Sequence, residues 1–268
     1  MSKAGIATPP CSGFKLARVA RPIELRRNPM QKMSSFRYVW APPEPASVAV
    51  QGSDARLPVQ RLFFVGRNYL AHAAEMGRPV DATRDRPFYF TKSHSALLDS
   101  GASVPYPRAT SNYQHEMELV VVLGAGGADV PAQSAHELIH GYACGLDMTR
   151  RDLQLAARDQ GKPWDTAKDC EHSAVVSAVL AMPGKVLERG RIELRVDGQT
   201  RQDSDLSNMI WSVRELIADL SRLYHLRQGD LLFTGTPEGV GAVRAGQRID
   251  GSIEGVGSIS LQLQEPSA

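Results

Sequence analysis

Glu116 and Glu118, in His115-Glu116-Met117-Glu118, stand directly ahead of the apolar run 119–123. That run is aliphatic and β-branched, which predicts a buried strand. Residues i and i+2 of a strand share a face, so the two carboxylates are expected side by side at the mouth of a core strand. Two anions that close resist joint ionisation unless a cation or a proton lies between them. A divalent metal on oxygen ligands meets that need. The plainer alternative is an exposed edge strand with two solvated glutamates. Asp147 is the natural third ligand, at the predicted end of the strand in 136–146 and ahead of a predicted helix. Helix capping would also explain Asp147, but Thr149 can cap a helix over 150–160 and so free the aspartate. Two glutamates and an aspartate make a hard, all-oxygen set suited to Mg²⁺ or Mn²⁺, with Ca²⁺ also admissible.

His72 and Glu75 are three residues apart in a short predicted helix, 69–76, for which Asn68 is the expected cap. A carboxylate beside an imidazole orients it and raises its basicity, so the pair can activate water; an exposed surface pair is the bland alternative. Lys168, in Pro163-Trp164-Asp165-Thr166-Ala167-Lys168, can neutralise a bound anion or be a plain surface lysine. Arg151 and Gln154 share one face of the helix after Asp147, turned toward the site or away from it. Thr234-Gly235-Thr236-Pro237-Glu238-Gly239 lacks a phosphate-loop ending and no helix follows it. Its glycines permit close backbone approach to a ligand, or form a tight structural turn.

The elements that must hold these residues read as β-rich. Strands are predicted at 62–65, 87–92, 119–123, 192–196 and 230–233 and within 247–263. Asp197-Gly198 predicts a hairpin turn. Apolar residues at Ile210, Val213, Leu216, Ile217, Leu220 and Leu223 predict an amphipathic helix within 209–223. A short strand and a Pro-rich connection are expected in 36–59. No βαβ rhythm is present, so the fold class is α+β. Residues 1–33, basic and acid-poor, are read as a disordered extension with a possible start at Met33. Residues 34–60 form a short N-terminal segment and 61–265 the metal-dependent catalytic domain. The chain has 268 residues, 42% hydrophobic and 22% charged, with net charge +2. That balance gives no bulk case for nucleic acid or an anionic membrane surface. Cys11, Cys144 and Cys170 have neither zinc nor disulfide spacing, so a reducing cytoplasm is expected.

Taken in order, these motifs resemble the fumarylacetoacetate hydrolase family. The likeness runs from about residue 37 to 263. It rests on Val65-Gly66-Arg67-Asn68-Tyr69 with His72 and Glu75, Phe90-Thr91-Lys92, the glutamate motif, Leu146-Asp147-Met148-Thr149-Arg150-Arg151-Asp152, Trp164 to Lys168, and the Gly-Thr-Pro loop. The start of the likeness and Asp152-Leu153-Gln154 are most similar to the bacterial branch that acts on fumarylpyruvate. The resemblance implies a mixed β roll with a few flanking helices, in a homodimer. Glu116, Glu118 and Asp147 would bind Mg²⁺ or Mn²⁺. His72, Glu75 and Lys168 would be catalytic, and Arg67, Tyr69, Lys92, Arg151, Gln154 and Thr236 would contact the oxo-acid substrate. The implied reaction is hydrolysis of a C–C bond in an acylpyruvate such as fumarylpyruvate, in aromatic degradation. Rivals within the family are an oxaloacetate decarboxylase and a hydroxymuconate isomerase or decarboxylase; a rival from outside enzymology is a non-catalytic oxo-acid binder. Ser93 and Cys170 depart from the family pattern near the implied pocket. A second substrate carboxylate needs a cation, for which the loop after the His/Glu helix offers Arg78, Arg84 and Arg86.

Overall fold

In the computed structural model the described residues are 37–77, 80–81 and 85–266. The chain divides into Met1–Pro43 and Glu44–Ala268. Of the first unit, 37–43 carry no helix or strand; within the expected 36–59 the short strands are Ser47–Ala49 and Arg56–Pro58, after the Pro-rich stretch rather than before it. The extension 1–33, Arg78 and Arg84 lie outside the described residues.

The larger unit is built on an eight-stranded mixed sheet. Its central strands, Leu231–Phe233, Met117–Leu123 and Ile139–Asp147, are antiparallel neighbours. Leu62–Gly66 joins Leu231–Phe233 in parallel and carries Phe88–Lys92 on its far side. Every residue of Met117–Leu123 is buried, because both faces of the sheet are covered. Leu119, Val121 and Leu123 face a large apolar core shared with a five-stranded sheet and the Val213–Leu223 helix. Val120 and Val122 face a smaller core with Phe64, Ala143 and Phe233, where Phe64 stacks on Phe233 at 4.1 Å between centroids. Each such side chain taken from water contributes about 1.5–3 kcal/mol, so the sheet centre is a rigid frame.

A small three-stranded sheet, Thr149–Arg150, Tyr113–His115 and Gly241–Val243, stands beside the large one. The chain crosses between the two sheets at Glu116 and again after Asp147. The crossings adjoin, since the Asp147 amide donates to the Glu116 carbonyl at 2.9 Å. Glu116 and Glu118 therefore do not share one unbroken strand, as their spacing predicts; the strand breaks at Glu116 and turns into the second sheet.

Local devices differ from expectation in two further places. Thr149 lies in a strand and its hydroxyl bonds the Asp147 carbonyl at 3.2 Å, while the following helix, Arg151–Asp159, has no side-chain cap. Asn68 does not cap Leu70–Glu75. It is fully buried and ties three segments together, donating to the carbonyls of Trp211 and Thr234 and accepting from the Trp211 amide. The Asp197-Gly198 hairpin forms as predicted, with both residues at positive φ. The amphipathic helix begins at Val213, behind a Ser212–Glu215 capping box.

Candidate active site

The corner where the chain changes sheets brings Glu116, Glu118 and Asp147 together. A ligand oxygen from each lies within 4.8 Å of the others, and all three side chains are buried. Glu118 and Asp147 project from neighbouring strands at the open end of the smaller core; Glu116 comes from the break between sheets.

Three cations surround them. The Lys168 ammonium bridges Glu116 at 2.7 Å and Asp147 at 2.6 Å. Arg151 pairs with the other Glu116 oxygen. Lys92 meets Asp147 at 2.7 Å and is held from behind by the carbonyls of Met148 and Ser173 and the Ser173 hydroxyl. Burial alone would push the Glu116 carboxyl up, but Lys168 and Arg151 outweigh it and hold it below the usual carboxylate range. Lys168 answers in kind: its burial is overcome by Asp147 and Glu116, and its proton is held more tightly than in water. Glu118 differs. Burial, then Asp147 and Glu116, drive its carboxyl well above the usual range. The Gly235 amide at 2.7 Å is the one hydrogen-bond donor to it among the described residues. A third negative charge at this corner is thus undercompensated by protein. An added divalent cation on these oxygens would remove the cost, so the residues fit such an ion.

The Gly-Thr-Pro loop is the frame between the corner and the His72–Glu75 pair. Gly235 sits at φ +93°, where a Cβ would come within 2.7 Å of Asn68; this turn aims its amide at Glu118. Thr236 donates to the Met117 carbonyl at 2.8 Å. The Gly239 amide reaches Glu75 at 3.3 Å, and Glu75 meets His72 Nδ1 at 3.3 Å. His72 is buried, and that burial holds its pKa below the ordinary histidine value. A neutral imidazole, oriented by a carboxylate, is a competent base.

A cavity of about 360 Å³ opens on these groups. Of the site residues expected from sequence, His72, Glu116, Glu118, Asp147, Lys168, Arg67, Arg151, Gln154 and Thr236 line it. Glu75 stands behind His72. Two expected substrate contacts do not line it. The Lys92 side chain is 0% exposed and spends its ammonium on Asp147 and its neighbours. Tyr69 is buried and does not line the cavity; its backbone bridges to Met209. Arg86 does not line the cavity either. Arg158, Phe88 and Trp164 do, and the residue-by-residue reading missed them. For Arg158 the signal was present: it continues the helical face of Arg151 and Gln154 by four residues. Of the two departures, Ser93 donates to Asp169 at 2.9 and 2.8 Å, and Cys170 is a buried thiol.

A family model described as fumarylacetoacetate hydrolase C-terminal matches residues 61–264. Fumarylpyruvate hydrolase of Ralstonia sp is 60% identical over 188 residues, 70% of this chain and 98% of that protein. A mitochondrial oxaloacetate tautomerase of Homo sapiens is 36% identical over 204 residues, 75% of this chain and 90% of that protein. The crystal structure of fumarylpyruvate hydrolase from Pseudomonas aeruginosa, in complex with Mn²⁺ and pyruvate, matches with TM-score 0.81 and 45% identity, over 85% of this chain and 100% of that one.

Proposed function

This chain belongs to the fumarylacetoacetate hydrolase family, and from that premise we propose that it is a metal-dependent hydrolase of acylpyruvates, cleaving fumarylpyruvate to fumarate and pyruvate. The observation that carries hydrolysis is His72 on the wall of the cavity that holds the carboxylate corner, with Glu75 paired to it from behind. Glu116, Glu118 and Asp147 are the proposed holders of Mg²⁺ or Mn²⁺, which when bound supplies a Lewis acid for the 2-oxo acid end of the substrate.

In the proposed reaction His72 takes a proton from water, with Glu75 fixing the ring. The hydroxide adds to the ketone carbon on the acyl side. The tetrahedral adduct collapses with rupture of the bond to the neighbouring methylene carbon. The acyl part leaves as fumarate and the methylene part as the enolate of pyruvate, which gains a proton to become the methyl group. Arg151 and Lys168 are the cations facing the developing negative charge, with side chains buried enough for them to act strongly. Gln154 and Thr236 complete the polar wall. Among the described residues no helix is long and apolar enough to cross a membrane. The proposal keeps a homodimer, a cytoplasmic setting and a role in aromatic degradation as its wider frame.

Purified protein loaded with Mn²⁺ should convert fumarylpyruvate and acetylpyruvate to pyruvate. In H₂¹⁸O the released fumarate or acetate should carry one labelled oxygen. Turnover of oxaloacetate faster than of either acylpyruvate, without label in a released acid, would transfer the assignment to the tautomerase or decarboxylase chemistry of the family.

A further inference from the structure

The cavity holds two arginines that the carboxylate corner does not use, Arg67 and Arg158. Two elements lead from the corner toward them. On the Arg151–Asp159 helix, Arg151, Gln154 and Arg158 occupy one face and all line the cavity. Arg151 reaches Glu116. Arg158 stands seven residues further, about 10 Å along the axis at about 1.5 Å per residue. On the Phe88–Lys92 strand, Phe90 and Phe88 share a face, about 7 Å apart. The Lys168 ammonium lies 4.9 Å from the Phe90 ring centre, and the Arg67 guanidinium 5.3 Å from that of Phe88. Trp164 packs edge-on against both rings, at 5.4 Å and 6.5 Å. An aromatic wall thus runs from the charged corner to a second, cationic region.

Neither arginine is committed to a strong partner. Arg158 pairs with Asp159, its chain neighbour, at 2.9 Å, and the Asp159 side chain is 64% exposed. Exposed pairs of this kind contribute little and exchange readily. Arg67 has no ion pair among the described residues; it holds φ at 58° and lies over Phe88. Left-handed backbone at a non-glycine residue is a feature of sites where position matters more than local comfort.

We propose that Arg158, helped by Arg67, reads the second carboxylate of a dicarboxylic acylpyruvate and sets the preference for it over acetylpyruvate. The inference rests on the acylpyruvate hydrolase assignment. Lengths agree: six bonds of about 1.5 Å in a zigzag place the two carboxyl carbons of fumarylpyruvate roughly 8 Å apart, close to the reach from Arg151 to Arg158. The conjugated, flat acyl group suits the aromatic wall. A guanidinium suits a carboxylate because its planar fork matches two oxygens at once.

The test is the ratio of kcat/KM for fumarylpyruvate to that for acetylpyruvate in Mn²⁺-loaded enzyme. Arg158→Leu should lower this ratio about 30-fold, as expected for one lost charge-assisted contact, with KM for fumarylpyruvate carrying the change. Arg158→Lys should recover part of the loss, since it keeps charge without the fork. Fumarate should inhibit acetylpyruvate turnover, and Arg158→Leu should weaken that inhibition by a similar factor while pyruvate inhibits as before. A ratio unmoved by Arg158→Leu in an enzyme that turns over both acids overturns the inference alone. A ratio lowered instead by Arg86→Ala overturns it in favour of the loop after the His/Glu helix. A wild-type protein that hydrolyses neither acid overturns the hydrolase assignment, and this inference with it.

Discussion

The same two charge types meet at opposite ends of the solvent scale in this molecule. At the sheet corner, Glu116, Asp147, Lys168, Lys92 and Arg151 form one buried set, with side chains at most 6% exposed. On the five-stranded sheet, Arg191 pairs with Asp203 at 2.7 Å and Arg248 with Asp250 at 2.9 Å, with side chains about half exposed. The distances are alike and the physics is not. Water screens the outer pairs and solvates either partner when the other leaves. Inside, no water compensates, so each charge depends on its neighbours. The inner set is therefore not a stability device. It fixes two carboxylates, two lysines and an arginine in one geometry and leaves the neighbouring Glu118 wanting a cation, an arrangement suited to binding rather than to folding.

The largest effect expected at this corner is at Glu118, beside the inner set. Glu118→Gln keeps the shape and the Gly235 contact while removing the charge. Divalent binding, read by calorimetry with Mn²⁺, should fall below detection, and turnover with it, because an all-oxygen site of few protein ligands has none to spare. Chelation of the wild type should abolish turnover and added Mn²⁺ restore it; full activity after thorough chelation would refute the metal-dependent reading.

Next comes His72, the proposed base. His72→Ala should lower kcat for fumarylpyruvate by roughly 10²–10⁴ with Mn²⁺ affinity near wild type. Loss of the metal in this variant would mean the roles are misassigned. The pH profile carries the same argument with a definite sign. Burial lowers the His72 pKa, so the imidazole stays neutral, and active, to lower pH than an ordinary histidine. The acid limb of kcat/KM should fall below the ordinary histidine value, and an acid limb displaced upward would contradict the assignment.

How much of this corner was legible beforehand depends on which interaction wrote it into the sequence. Glu116 and Glu118 were visible because two carboxylates beside an apolar run are costly, and Asp147 because it ends a strand. The break at Glu116 was not visible, since alternation cannot tell one strand from two that meet at a corner. Lys92 gave no local sign of its role: its partners, Asp147, Met148 and Ser173, are supplied by distant segments. Asn68 looked like a cap because caps are local and its true partners, Trp211 and Thr234, are not. The hairpin at Asp197-Gly198 and the helix at Val213 were legible for the complementary reason, that turn chemistry and capping are decided by neighbours in the chain.

Lys92 gives the sharpest stability contrast. Lys92→Met removes a buried cation and leaves Asp147 with Lys168 alone. Breaking a buried pair typically costs about 3–5 kcal/mol, and the urea midpoint should fall accordingly with the slope unchanged. If it did not move, Lys92 would be passing its charge off by deprotonation, a route its burial favours, and the corner would hold one cation fewer than its geometry implies.

The smallest effect is expected where the geometry looks equally good. Arg248→Ala removes a guanidinium that meets both Asp250 oxygens, at 3.0 and 2.9 Å. Asp250 is then simply hydrated, because its side chain is 44% exposed. The urea midpoint should stay within the error of the Lys92→Met comparison, and whatever shift remains should vanish in high salt, where exposed charges are screened within a few ångströms. Activity toward fumarylpyruvate should be untouched, since neither residue lines the cavity. A salt-insensitive loss of stability from Arg248→Ala would mean that the outer sheet uses its charges as the inner corner does, and the distinction drawn from exposure would fail at the point where it is easiest to measure.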